Sequence, residues 1–167
     1  YYPARQLRED QYQFAWYAYG KDYHDLMKTR LTALQAYISA HSPLPLQSRV
    51  FCDTAPVLER YWAYRAGLGW IGKNTQLIIP HAGSCFFLGE LFLDMEVDEY
   101  DQPQKNRCGN CTRCIQACPT KALEAPFLLN SRRCLSYLTI ENRDAIPLLE
   151  GKKMGNKIYG CDECQKA

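Results

Sequence analysis

Seven of the nine cysteines lie in the last 60 residues of this 167-residue chain. Four of them, Cys108, Cys111, Cys114 and Cys118, form a C-x2-C-x2-C-x3-C run closed at once by Pro119. Thiolates are soft enough to hold iron and sulfide. Two-residue gaps let three of them close on one face of a cubane, and the fourth swings away toward a second one. Cys134 stands alone, and Cys161 and Cys164 repeat the two-residue gap. The pattern therefore predicts two 4Fe–4S clusters, with Cys118 serving the centre held by Cys134, Cys161 and Cys164. A further three-residue step from Cys164 would land one position past Ala167. Within this chain the centre of Cys108, Cys111 and Cys114 is thus expected to lack its fourth ligand, and the chain reads as cut one residue short.

Two blander frameworks compete with that reading. A zinc ribbon also uses paired C-x2-C, but has no use for a third and fourth cysteine in one short run. A disulfide framework fits a short, loop-rich secreted chain better than one whose first part is cysteine-poor. Cys52 and Cys85 fall in apolar stretches and read as core residues. His24, His41 and His81 show no ligand spacing, and only His24 is placed near a pocket.

The elements that must carry these ligands follow from periodicity and punctuation. Apolar residues at helical spacing predict a helix over 22–41 with one buried face, capped by Asp22 and ended by Ser42-Pro43. Residues 49–52 read as a strand and 55–66 as a helix closed by Gly67, which puts Asp53 and Thr54 at a strand-to-helix turn where ligands tend to lie. Asp53 has a second reading there, as a simple helix cap. Three glycines in residues 67–74 match neither a dinucleotide fingerprint nor a phosphate loop. They permit either close approach of a bulky ligand, with Lys73 at hand, or merely a tight connection. Residues 75–79 and 85–93 read as a hairpin, 94–104 as an acidic linker, and 119–123 and 130–137 as short helices beside the cluster ligands.

With 47 % hydrophobic residues the chain supports one core plus a small appended module, and its twelve tyrosines offer more amphipathic wall than a bare electron carrier needs. Residues 1–104 hold 9 Lys and Arg against 12 Asp and Glu, and residues 105–167 hold 11 against 6, giving −3 and +5. Part of the excess offsets anionic clusters; Arg132, Arg133, Lys152, Lys153 and Lys157 are either a phosphate-facing patch or a solvated face. No apolar run approaches the roughly 20 residues of a membrane span.

Four stretches together resemble one family: Gly20-Lys21-Asp22-Tyr23-His24, Asp53-Thr54-Ala55-Pro56-Val57, residues 67–74, and the cysteine module with Cys134-Leu135-Ser136-Tyr137-Leu138-Thr139-Ile140-Glu141. They are similar to epoxyqueuosine reductases, the cobalamin-dependent iron–sulfur enzymes of queuosine biosynthesis, and Ile158 through Gln165 strengthens the match. The resemblance implies an α+β chain. Residues 1–104 would be part of a nitroreductase-like α/β cobalamin-binding domain, and 105–167 a ferredoxin-like module with two 4Fe–4S clusters. It implies reduction of epoxyqueuosine to queuosine at the wobble position of a tRNA anticodon stem-loop, with Asp53 as proton donor and electrons passing through both clusters to cobalamin. The four-cysteine centre would be the one nearer cobalt.

By the same resemblance Trp16, Tyr23, Asp53, Lys73 and Ser136 are candidates for corrin contacts, and Glu141 and Arg143 for the nucleotide. An external electron donor, a monomeric state and a cytoplasmic location complete the expectation. Corrinoid reductive dehalogenases share the cofactors, and a non-catalytic ferredoxin-type carrier would need only the clusters.

Overall fold

The computed structural model describes residues 10–167. Asp22 opens the longest element by accepting the His24 backbone N–H at 2.9 Å, and α1 runs Tyr23–His41. It stops at Ser42, whose backbone is extended (φ −77°, ψ 136°), because the residue before a proline is kept out of the helical region. The limits match the sequence expectation; the buried face does not. No α1 residue is fully buried, and Leu26, Leu34 and Tyr37 are exposed. The helix leans on β2 (Ser48–Phe51) and β5 (Glu90–Leu93). Met27 and Leu31 meet the backbone where Gly89 has no Cβ. The other described residues leave the rest of its apolar side uncovered.

Strand pairing departs from the expected hairpin. β5 pairs antiparallel with β2, Ser48 opposite Leu93 and Phe51 opposite Glu90, whereas β4 (Leu77–Ile78) pairs with β3 (Trp70–Ile71). Between residues 75–79 and 85–93 the intervening loop carries an isolated bridge from Ile79 to Gly83, and β5 lies elsewhere, against β2. The glycine-rich stretch has claimed the edge of β4. A Cβ at Gly69 would lie 2.1 Å from the Ile78 carbonyl oxygen, and one at Gly72 would lie 2.5 Å from the Ile78 side chain. These glycines serve strand-to-strand approach.

The expected helix over 55–66 begins late, as α2 (Glu59–Arg65). Pro56 keeps Ala55 from helical geometry, and a tight turn from Ala55 to Val57 fills the gap. The far end behaves as predicted, with Gly67 at φ +73° donating to the Tyr64 carbonyl.

In the cysteine-rich part the first helix is displaced. It is α3 (Arg113–Ala117), inside the cysteine run, and not 119–123, because Pro119 forces Cys118 into the β region (φ −66°, ψ 113°). The chain continues into a hairpin, β6 (Leu123–Ala125) and β7 (Leu128–Leu129). In place of one helix over 130–137 there is a 3₁₀ turn, Ser131–Arg133, an extended Cys134, and then α4 (Leu135–Ile140). Two single turns, α5 (Leu148–Gly151) and α6 (Glu163–Lys166), flank β8 (Lys157–Tyr159). β8 pairs in parallel with β1 (Gln13–Phe14), so the tail is stitched to the front of the chain. Gly160, at φ +71°, makes room there for Ala15.

The interior is made of small pieces: Ala15, Cys52, Ala63, Leu77 and Cys85 in the front part, and Ala122, Leu123, Leu135 and Leu138 in the tail. Cys52 and Cys85 are core residues, as expected. No described helix is long and apolar enough to cross a membrane.

Candidate functional site

Directly after β2 the chain makes a turn at which Asp53 takes φ +55°, a conformation few residues other than glycine adopt. The Thr54 N–H closes onto the Cys52 carbonyl at 2.7 Å, and the Asp53 N–H donates to Glu59 Oε1. Asp53 caps no helix, since α2 starts after Leu58 without a side-chain cap. Its carboxylate instead accepts from the Tyr23 hydroxyl at 2.6 Å. His24 Nε2 lies 3.6 Å from the same oxygen, while His24 Nδ1 is 2.7 Å from Asp22 Oδ1. The His24 amide and ring hold Asp22 below the usual carboxylate range, so Asp22 is the acceptor for the Nδ1 proton. Burial, reinforced by the Asp53 charge, pushes the Tyr23 phenol far upward and keeps it a donor.

This cluster borders an open cleft of about 610 Å³. Its aromatic wall is Phe86 and Phe87, with Tyr23 stacked on Phe87 at 4.0 Å and 5°. Tyr17 meets Tyr23 edge-on at 6.2 Å and Tyr159 of β8 at 6.3 Å, extending the wall toward the tail. The Asp53 side chain is 61 % exposed and faces the open cleft. Thr75 Oγ1, on a cleft residue, is buried without a hydrogen-bond partner among the described residues.

The seven tail cysteines line two adjoining cavities. Cys118, Cys134, Cys161 and Cys164 surround one, beneath α4 and the β6–β7 hairpin. Cys108, Cys111 and Cys114 line the other, of about 310 Å³, which Ala167 also lines. Cys164 borders both. Among the described residues no three His, Cys, Asp or Glu side chains converge closely enough to hold a single metal ion. Burial pushes Cys161 up to about 11 and Cys164 up to about 12, which makes their thiolates dependent on a compensating cation. Burial also raises Cys118, but the amides of Leu123 and Ala122 and the Thr120 hydroxyl outweigh it and bring the thiol down. The donor set fits iron–sulfur ligation.

One thin element separates the two regions. Ile71, Thr75 and Gln76 of the β3–β4 hairpin line the cleft, while Trp70, Lys73, Asn74 and Ile78 line the three-cysteine cavity. It is this cavity, not the four-cysteine one, that shares the hairpin with the cleft. Lys73 Nζ donates to the carbonyls of Gly109 at 2.6 Å and Cys111 at 2.9 Å, and Asn74 Nδ2 donates to the Cys164 carbonyl at 2.9 Å.

Of the predicted site residues, Tyr23 and Asp53 meet in the cleft. Lys73 clamps the cysteine loop. Trp16 donates its backbone N–H to Asp162 at 2.8 Å, with Lys166 Nζ 4.8 Å from its ring centroid, so it sits beside the tail cysteines. Ser136 is half-buried on α4, and Glu141 and Arg143 are exposed just beyond it; none of the three borders the cleft. The sequence reading missed Glu59, Phe87 and Thr75. The Phe86-Phe87 pair offered a signal, whereas Glu59 looked like any acidic residue in a first helical turn.

Residues 107–167 match the family model "4Fe-4S double cluster binding domain", and residues 1–54 match "Epoxyqueuosine reductase QueG, DUF1730". The chain is 54 % identical over 149 residues to an epoxyqueuosine reductase of Xanthomonas campestris pv. campestris, covering 89 % of this chain and 41 % of that protein. Among solved structures it resembles an epoxyqueuosine reductase with a tRNA-Tyr epoxyqueuosine-modified stem loop, with a TM-score of 0.84, 32 % identity, and coverage of 99 % of this chain and 45 % of that one. It also resembles the Bacillus subtilis enzyme with its catalytic aspartate loop swung out of the active site, at a TM-score of 0.83, 32 % identity and the same coverages. The chain spans about half the length of the curated relatives it matches.

Proposed function

This chain belongs to the epoxyqueuosine reductase family, and we propose that it supplies the proton donor, the cluster ligands and part of the cobalamin site of an enzyme that reduces epoxyqueuosine to queuosine in tRNA. The reaction removes the epoxide oxygen as water, which requires two electrons and two protons and leaves a carbon–carbon double bond. Bound cobalamin would supply reducing equivalents at the epoxide carbon, fed one electron at a time by the clusters. The observation that carries the reading is the hairpin with Asp53's cleft on one face and the three-cysteine cavity on the other.

The residues fit these groups. Cys118, Cys134, Cys161 and Cys164 hold one cluster, and Cys108, Cys111 and Cys114 give three ligands to the other. The stacked Tyr23–Phe87 surface suits a flat ring, and the unpartnered Thr75 hydroxyl suits an amide at a corrin rim. Asp53 protonates the departing oxygen. Tyr23 fixes the carboxyl group, and His24, held by Asp22, lies 3.6 Å from it. The swung-out aspartate loop of the Bacillus subtilis enzyme supports an Asp53 turn that moves in this family. Trp16, Lys73 and Ser136 act from the cluster side, and Glu141 and Arg143 face the nucleotide. An external donor supplies the electrons.

Full-length protein reconstituted anaerobically with iron, sulfide and cobalamin should convert an epoxyqueuosine stem loop, and Asp53→Asn should bind cobalamin with its normal absorption spectrum yet not turn over. Undiminished turnover would remove Asp53 from the chemistry. Absence of a corrin spectrum would leave only the carrier.

A further inference from the structure

Behind the Asp53 turn stand two more carboxyl groups that the proton-donor reading leaves unused. We propose that Glu59 is a positioning residue, holding the Asp53 turn in its working shape through the Asp53 backbone N–H, and that Glu90, on the strand paired with β2, tunes this hold through its charge. The proposal rests on the reading of Asp53 as the acid. It adds what keeps that acid in place.

Three observations carry it. The Asp53 N–H donates to Glu59 Oε1, and Glu59 is the first residue of α2, fixed by the helix backbone. At φ +55° the Asp53 backbone is in a strained region, which persists only where surrounding contacts enforce it. Glu90 lies opposite Phe51 in the β2–β5 ladder, two residues before Asp53 in register, and its Oε2 is buried with no hydrogen-bond partner among the described residues.

A half-buried carboxyl with one oxygen sealed off and unpartnered among the described residues, in the field of another carboxylate, prefers to keep its proton. Burial first, and the Glu59 charge second, push Glu90 up to about 7. Its surroundings offer little relief. Glu59 of α2 adds its charge, and Cys52, the residue after β2, is a thiol pushed up to about 11 by burial and by Glu59, Asp53 and Glu90. Lys28 of α1 draws that thiol the other way. Below about 7 Glu90 is neutral and sets no charge against Glu59, which accepts the Asp53 amide. Above it two like charges oppose each other, and their repulsion works against the side-chain position from which Glu59 reaches the Asp53 amide.

Amide hydrogen exchange of the peptide spanning residues 52–54, measured on full-length holoenzyme at pH 6 and pH 8 and corrected for intrinsic rates, reads the hold directly. Glu59→Ala should exchange about tenfold faster or more, the ratio set by losing a hydrogen bond to a charged acceptor. Glu59→Gln, whose amide oxygen still accepts, should recover most of the protection and lose its dependence on pH. The native protein should lose protection between pH 6 and pH 8, and Glu90→Gln should not. In turnover, Glu59→Ala should lower kcat with KM unchanged. Native exchange in Glu59→Ala, or an unaltered pH dependence in Glu90→Gln, overturns the proposal. Full activity in Asp53→Asn would instead overturn the proton-donor reading and leave the exchange result standing.

Discussion

Around Asp53 the chain is held by its own hydrogen bonds. The amide of Asp53 goes to Glu59, its carboxylate takes the Tyr23 hydroxyl, and the neighbouring amide closes on Cys52. Around the cysteines the protein contributes less of its own. Two of the tail's helices are single turns, and burial holds Cys161 and Cys164 as thiols. One region is pre-shaped by protein, and the other is completed by metal. The difference teaches where each is vulnerable: the front to single substitutions at hydrogen bonds, the tail to loss of iron.

Chelation of iron is therefore the largest perturbation. Stripping the clusters anaerobically from full-length protein should expose residues 108–164 to protease and speed their amide exchange, because cluster binding supplies much of that region's folding free energy. Residues 23–51 and 90–93, tied by α1 and the β2–β5 ladder, should keep their protection. Simultaneous loss in both regions would erase the distinction.

Asp53→Asn sharpens the other side. An amide keeps the size and the acceptor for Tyr23 but cannot give a proton, so kcat should fall by about 10²–10⁴, the usual worth of a positioned acid. Iron and cobalamin content, read from absorption spectra, should not change.

The same contrast explains what could be read from the chain. The cysteine ligands were legible because coordination chemistry fixes their spacing, whatever the fold does. Their helices were misplaced, since Pro119 ends a helix that the periodicity had started after it. The limits of α1 were legible from Asp22 and Ser42-Pro43, both local signals. The pairing of β5 with β2 was not, because nothing near residue 90 announces a partner some forty residues away. The Asp53 turn was placed correctly between a strand and a helix. Its anchor at Glu59 depends on a positive φ and a delayed helix start, which only the three-dimensional path reveals.

Within the tail, one polar contact works like those of the front. Arg133 Nε lies 3.4 Å from Glu150, which is 6 % exposed, and its guanidinium also donates to the Thr120 carbonyl at 2.8 Å. Arg133→Ala would strand a buried carboxylate and is expected to cost about 3 kcal/mol, toward the low end for a broken buried pair because the arginine itself is part-exposed. Urea unfolding of the holoprotein measures this. A cost near zero would mean that iron alone orders the tail.

The smallest effect expected is on pH and stability in the front part. Glu90 has its proton affinity raised from the ordinary 4.5 to about 7. Between those values the folded chain retains a proton that the unfolded chain has released. The stability tied to that proton is complete below about 4.5 and is lost as pH climbs through about 7. Glu90→Gln cannot ionise and should remove this slope, leaving the variant more stable than the native protein at pH 8 and little different at pH 4.5. Water reaches much of this side chain, so the gain is about 1 kcal/mol after screening. Urea midpoints at the two pH values test it, and a variant whose midpoint keeps the native pH slope would show that Glu90 does not titrate beside Glu59.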